Sequence, residues 1–330
     1  MTVAAWDEAA ALRRRCWGRD VFLRGIVEFS SHCRQNCLYC GLRRDNASLA
    51  RYRLEPEEIF GRARAVRDLG IGTVVLQSGE DPAYSGPVMA DLIRRIKGDL
   101  GLAVTLSLGE RARAEYALWR AAGADRYLLK AETFDATLYA RLRPGKRLDR
   151  RLDAVKALAD LGYETGSGII AGLPGLSKEP ADTLDKELDA LAALRLDMVS
   201  ISPFVPHPAT PLGDQPAFGP AKTLAVMAAA RLRMPTAHIP VTSALGLHGD
   251  AVRLKALEVA DVLMPSLTPE RVREEYAIYP GKNRQQATPE ERAHAMRDML
   301  AAAGFALPSG PGSAWRVSRG EASMSWRHAS

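Results

Sequence analysis

Residues 33–40 read Cys33-Arg34-Gln35-Asn36-Cys37-Leu38-Tyr39-Cys40 and carry three of the four cysteines of the 330-residue chain. They follow directly on an apolar run of strand length at residues 22–29, so the spacing CX3CX2C falls on one loop at the end of a candidate strand. Three soft thiolates confined to a short loop can hold three corners of an iron–sulfur cluster and leave one iron open to another ligand. The competing readings are a structural zinc site completed by His32 or Cys16, and plain buried thiols. Structural zinc normally draws ligand pairs from separate elements and closes its fourth position. The chain has no second pair, and four cysteines are too few for a disulfide scaffold.

Outward from this loop, apolar runs alternate with helix-period segments. Strands are expected at residues 22–29, 72–77, 103–108, 126–130, 164–172, 198–204, 239–242 and 262–265, with amphipathic helices between them. Gly70, Gly123 and Gly162 fall just past three of those helices, where a left-handed residue stops a helix without strain. Eight strands alternating with helices predict an α/β (βα)8 TIM barrel, with an open doubly wound sheet as the alternative. The chain divides into an N-terminal helical lead (1–21), a barrel with a closing helix (22–305) and a partly disordered tail (306–330). The proline-rich stretch 203–220 reads as a long loop after the sixth strand, on the face where barrels build their sites.

Composition sets the outer bounds. With 47% hydrophobic and 25% charged residues the chain can bury a sizeable core. No apolar run is long enough to span a membrane and no signal core is present, so a cytoplasmic protein with no membrane association is expected. The formal charge of +6 invites a nucleic-acid reading. Its basic residues are scattered along helices such as Arg62-Ala63-Arg64-Ala65-Val66-Arg67, flanked by Glu57, Glu58 and Asp68, which reads instead as a solvated surface.

With the cysteine loop, Gln77-Ser78-Gly79-Glu80-Asp81-Pro82 after the second strand and Gly168-Ile169-Ile170-Ala171-Gly172 in the fifth, the chain resembles the radical S-adenosylmethionine (SAM) superfamily. Longer segments are similar to the HydE family of [FeFe]-hydrogenase maturases, favouring it over its relatives biotin synthase and methylornithine synthase. Among them are Cys40 to Asn46, Thr105 to Glu110, Asp125 to Leu129, Pro206-His207-Pro208 and Tyr279-Pro280-Gly281-Lys282. The resemblance implies a [4Fe–4S] cluster on Cys33, Cys37 and Cys40, with SAM on the open iron as a source of 5′-deoxyadenosyl radical. It implies SAM contacts from Tyr39, Gln77, Ser78, Thr105, Ser107, Lys130, Glu132, Arg151, Ile170, Tyr276 and Tyr279. Glu132 would serve the ribose hydroxyls, and the planar fork of Arg151 the SAM carboxylate. Substrate contacts would come from Arg126, Thr242, Ser243 and Met264. Arg126 is read as either an anion hook in the cavity, the preferred role, or a salt-bridged barrel end; Met264 could equally be plain core.

The implied role is radical chemistry on a small cysteine-bound iron carbonyl cyanide precursor. Implied partners are a tyrosine-lyase maturase, a scaffold GTPase and a reducing donor such as ferredoxin or flavodoxin. An organic substrate rearranged as by methylornithine synthase is the alternative, and a non-enzymatic metal-binding structural protein a remote one. No cysteines stand near the C-terminus for an auxiliary cluster, which argues against sulfur insertion of the biotin-synthase kind. Lys130-Ala131-Glu132 stands where the family leads one to expect Arg-His-Glu, Ser200 and Ser202 replace glycines, and Ser266-Leu267 replaces Asn-Trp. These departures bear on the substrate more than on SAM.

Overall fold

The computed structural model describes residues 2–175, 180–282 and 287–318. Six parallel strands, Gly25–Ser30, Thr73–Ser78, Ala103–Ser107, Arg126–Leu128, Glu164–Ala171 and Met198–Pro203, pair in chain order. Strands that are neighbours both in sequence and in space need a crossover between each pair, and helices such as Pro56–Asp68, Gly86–Leu100 and Leu148–Asp160 supply it. Their strands are almost wholly buried, as both faces of a barrel sheet must be.

The ring closes through positions seven and eight. His238 bridges to Met198, Pro240 to Val262 and Ser266 to Ile26, while Val262–Leu263 pairs with Phe22–Leu23. The seventh strand, expected at residues 239–242, is thus reduced to isolated bridges. Pro240 has no N–H to give to a ladder, which limits pairing there. The (βα)8 barrel reading holds in full circumference, and the open sheet does not.

Glu28, buried in the first strand, fastens this closure. Its backbone N–H donates to Thr268 Oγ1 at 2.8 Å, its carboxylate accepts from Ser266 Oγ at 2.8 Å and from Thr268, and Lys282 ion-pairs with it. Burial alone would raise this carboxyl, but the Lys282 ammonium and the hydroxyl donors outweigh it and hold the group below its ordinary value.

The lower end of the barrel corrects one expectation. Arg126 does not reach the cavity; it is fully buried at the strand N-termini, donating to Glu164 Oε2 (2.7 Å), Thr73 Oγ1 (3.2 Å) and the carbonyls of Pro311 (2.9 Å) and Gly312 (3.2 Å). The salt-bridged barrel end is the correct reading, because the chain supplies the acceptors that a bound anion would have supplied. Residues 308–318 run across this end. Ala314 N–H also donates to Glu164, Arg316 pairs with Asp197 at 2.7 Å, and Trp315 packs edge-on against Trp17. A Cβ on Gly72 would lie 2.0 Å from the Gly310 carbonyl, so the tail meets the second strand at glycine contact distance. The rest of the tail, from residue 319, lies outside the described residues.

Arg126→Met is expected to destabilise the fold by about 3–5 kcal/mol, since it strands Glu164 as an uncompensated buried charge. A urea titration that finds less than about 1 kcal/mol would refute the plug as a stability element.

Candidate active site

At the other end, where the strands terminate, a cavity of about 680 Å³ opens between the loops. Such a mouth is where a parallel barrel gathers side chains from many strands. Cys33, Cys37 and Cys40 line it from one side, and Tyr39, Gln77, Ser78, Ser107, Lys130, Glu132, Arg151, Ile170, Thr242, Ser243, Met264, Tyr276 and Tyr279 complete the expected set. Thr105 is the exception besides Arg126. It sits on the same strand face as Ser107 but two residues deeper, paired in register with Arg126, and its buried hydroxyl has no hydrogen-bond partner beneath the cavity floor.

The cysteine loop is held by backbone geometry. Cys33 Sγ accepts from the backbone N–H groups of Gln35 and Glu80, both at 3.4 Å, and Arg34 N–H donates to the Glu80 carbonyl at 3.0 Å. A Cβ on Gly79 would meet the His32 carbonyl at 2.3 Å and Cys33 Cβ at 2.8 Å, so the second strand can approach the loop only through glycine. Glu80, at the cavity edge, accepts from the Gln35 side chain and from the Glu110 N–H.

Among the described residues, no three His, Cys, Asp or Glu side chains converge closely enough to hold a single metal ion. Three thiols at the mouth of one cavity, with no second cysteine pair in the sequence, are the donor set of a cluster that keeps one iron open. Burial pushes the Cys33 and Cys37 thiols up, and burial with the neighbouring thiols does the same to Cys40. A cationic centre that deprotonates them on binding fits such a pocket.

Glu132 is the second fitting feature. Its φ is 71°, a left-handed conformation that costs a side-chain-bearing residue about 1–3 kcal/mol. The backbone is pinned there because its N–H donates to Gly168 and its carbonyl accepts from Ile170. The result carries the carboxylate into the cavity, where Oε2 is buried without a hydrogen-bond partner, 3.1 Å from Lys130 Nζ. Arg151, in the first turn of Leu148–Asp160, lies 2.9 Å from Glu110 Oε1 and donates to the Tyr139 hydroxyl at 3.0 Å.

Two substitutions noted in the sequence meet here. Lys130 Nζ donates to Ser202 Oγ at 3.2 Å, so the lysine and the strand-six serine form one polar unit in the cavity wall. On the far side the Tyr279 hydroxyl reaches Ser243, placing the segment that ends at Lys282 against the cavity. Sequence reasoning missed Glu28, Arg143 and Lys282 as cavity residues. A glutamate inside an otherwise apolar strand was a usable signal for Glu28; Arg143 had none, since it enters from the turn after the helix Ala136–Leu142.

The Radical SAM superfamily model matches residues 27–188. The chain is 47% identical over 283 residues to the [FeFe] hydrogenase maturase subunit HydE of Thermotoga maritima, covering 84% of this chain and 79% of the relative. It is 30% identical over 262 residues to 3-methylornithine synthase of Methanosarcina acetivorans, covering 78% and 73%. The crystal structure of methylornithine synthase (PylB) superposes with a TM-score of 0.81 at 27% identity, covering 92% of this chain and 88% of that one. A closed parallel barrel with three thiols at its mouth, matched by that superfamily model, defines a radical SAM enzyme. Within that superfamily the chain belongs to the HydE family. No helix among the described residues is long and apolar enough to cross a membrane.

Gly79→Ala is expected to displace the cysteine loop and cut the iron retained after anaerobic reconstitution to less than half of the wild-type content, with the circular-dichroism spectrum of the fold preserved. Full iron retention would show that the close approach is dispensable.

Proposed function

We propose that this chain is a hydrogenase-maturation enzyme of the HydE type, which reductively cleaves SAM and directs the resulting radical onto a small cysteine-bound iron carbonyl cyanide precursor. The observation that carries the proposal is a single cavity lined at once by three thiols on one loop and by Glu132, whose strained backbone holds its carboxylate there beside Lys130. In it Cys33, Cys37 and Cys40 would hold a [4Fe–4S] cluster that, with SAM on its open iron, supplies a one-electron cleavage to a 5′-deoxyadenosyl radical.

The chain's own residues divide the remaining work. Tyr39, Ile170 and Glu132 orient the nucleoside, Glu132 by accepting from the ribose hydroxyls. Gln77, Ser78 and Ser107 line the methionine end, and Arg151 exchanges part of its contact with Glu110 for the SAM carboxylate. Lys130, 3.1 Å from Glu132 Oε2, supplies the counter-charge beside that carboxylate. Tyr276 and Tyr279 cover the mouth and exclude water, which protects reactive species from quenching. Thr242, Ser243 and Met264 face the substrate end of the cavity. The maturation partners implied by this role are a tyrosine-lyase maturase and a scaffold GTPase.

One observation favours a second reading, in which the substrate is a small organic molecule. Lys130 and Ser202 add a cation and a hydroxyl to the cavity wall, as a site for a polar amino acid would require. Hydrogenase activation in a defined maturation mixture separates the two: success with this chain as the sole HydE component favours the first, and SAM cleavage without activation favours the second.

Two variants test the assignments. Cys37→Ala is expected to abolish 5′-deoxyadenosine formation with dithionite, and retained formation would sink the radical reading. Glu132→Gly is expected to leave the melting temperature unchanged or higher, because glycine accepts φ near 71° freely, while SAM affinity falls at least tenfold. Unchanged SAM affinity in equilibrium dialysis would remove Glu132 from the site.

A further inference from the structure

The chemistry proposed above consumes one electron that the chain itself does not supply. Cys33 lines the inner cavity and also a shallow outer depression of about 250 Å³. The depression is walled by Arg34, Arg44, Arg51 and Arg53, with Asp81 beneath them. One cluster-spaced thiol therefore stands between the site and an arginine-lined surface.

The charge there is not balanced as it is elsewhere. On the outer helices, exposed arginines sit on exposed acids, as in Arg95 with Glu57, Arg94 with Asp91, and Arg233 with Asp185 and Asp189. Around Cys33 the carboxylates are fewer and mostly buried. Asp81 is wholly covered and held by Arg53 at 2.7 and 3.0 Å; buried Glu80 lies 3.5 Å from Arg34; Asp45 is shared between Arg44 and Arg43. Arg51 spends its bonds on the carbonyls of Ser31, Leu42 and Arg43 rather than on a carboxylate. The side chains of Arg34, Arg44 and Arg53 are 50%, 63% and 42% exposed, so their guanidinium groups form the outer face.

We propose that this arginine depression is the docking surface for a small acidic one-electron carrier protein, with Cys33 the point of closest approach to the cluster; the proposal rests on the cluster reading above. In each encounter the reduced carrier gives up one electron and is oxidised by one, and the cluster held by the three cysteines is reduced by one. Complementary charge speeds and orients such an encounter without a large interface, as transient redox pairs require. The lining of the depression holds no Phe, Tyr or Trp ring, and His32 is the one aromatic ring in it, short of the series of stacking platforms that a nucleic-acid strand uses, which makes a protein the better occupant.

The test uses the reconstituted protein, acidic flavodoxin as the probe, and two readouts: the dissociation constant by fluorescence titration and SAM cleavage driven by either flavodoxin or dithionite. An Arg34→Gln, Arg44→Glu double variant is expected to bind flavodoxin about tenfold more weakly and to lose most of the salt dependence of binding. Its flavodoxin-driven cleavage should slow at sub-saturating carrier while dithionite-driven cleavage stays at the wild-type rate. Arg67→Glu, a charge change at the opposite end of the barrel, should alter neither. Wild-type affinity in the double variant, or equal weakening by Arg67→Glu, would overturn the docking surface while leaving the cluster reading intact. Absence of dithionite-driven cleavage in the wild-type protein would instead bring down the cluster reading, and this proposal with it.

Discussion

The buried carboxylate of Glu28 is the knot that the upper half of the molecule is tied around. It joins the first strand to Ser266 and Thr268 at the eighth position, where the ladder is otherwise thin, and to Lys282 in the segment beside the mouth. Its own carbonyl accepts from the Tyr52 hydroxyl at 2.6 Å, adding the stretch that follows the cysteine loop. Buried ion pairs contribute little net stability but impose geometry, because any displacement leaves a charge uncompensated in a poor dielectric. The closure of the ring, the seating of the cavity's cover and the position of the first strand beneath its thiols are therefore fixed by one group.

The two ends of the barrel use buried charge differently. At the lower end Arg126 and Glu164 are satisfied by each other and by the backbone of the tail. At the upper end Glu132 Oε2 and the Arg143 Nε are buried without hydrogen-bond partners. Unsatisfied buried polar atoms are costly and persist where a ligand completes them. Both Glu132 and Arg143 line the cavity that a bound ligand would fill.

Much of this was legible in the sequence. The cysteine spacing fixed the position of the site, and the alternation of apolar runs gave the strand order because both depend on local pattern. Arg126 was misread because strand position alone says that it points into the barrel, not at which depth. Two of its four partners lie some 185 residues away in a tail whose composition looked loose. Thr105 failed for the same reason, sharing a face with Ser107 but not a level. The strain at Glu132 is a backbone property that no side-chain pattern announces, and the bond between Lys130 and Ser202 joins two substitutions that looked unrelated 72 positions apart.

The tail that crosses the lower end has a kinetic meaning as well as a structural one. A barrel stoppered at its base is a blind tube, so whatever sits deepest must enter before, and leave after, whatever sits above it. Ligand order would then be imposed by topology alone: a queue with a single door, in which the molecule lodged beneath the nucleoside is committed until the nucleoside departs.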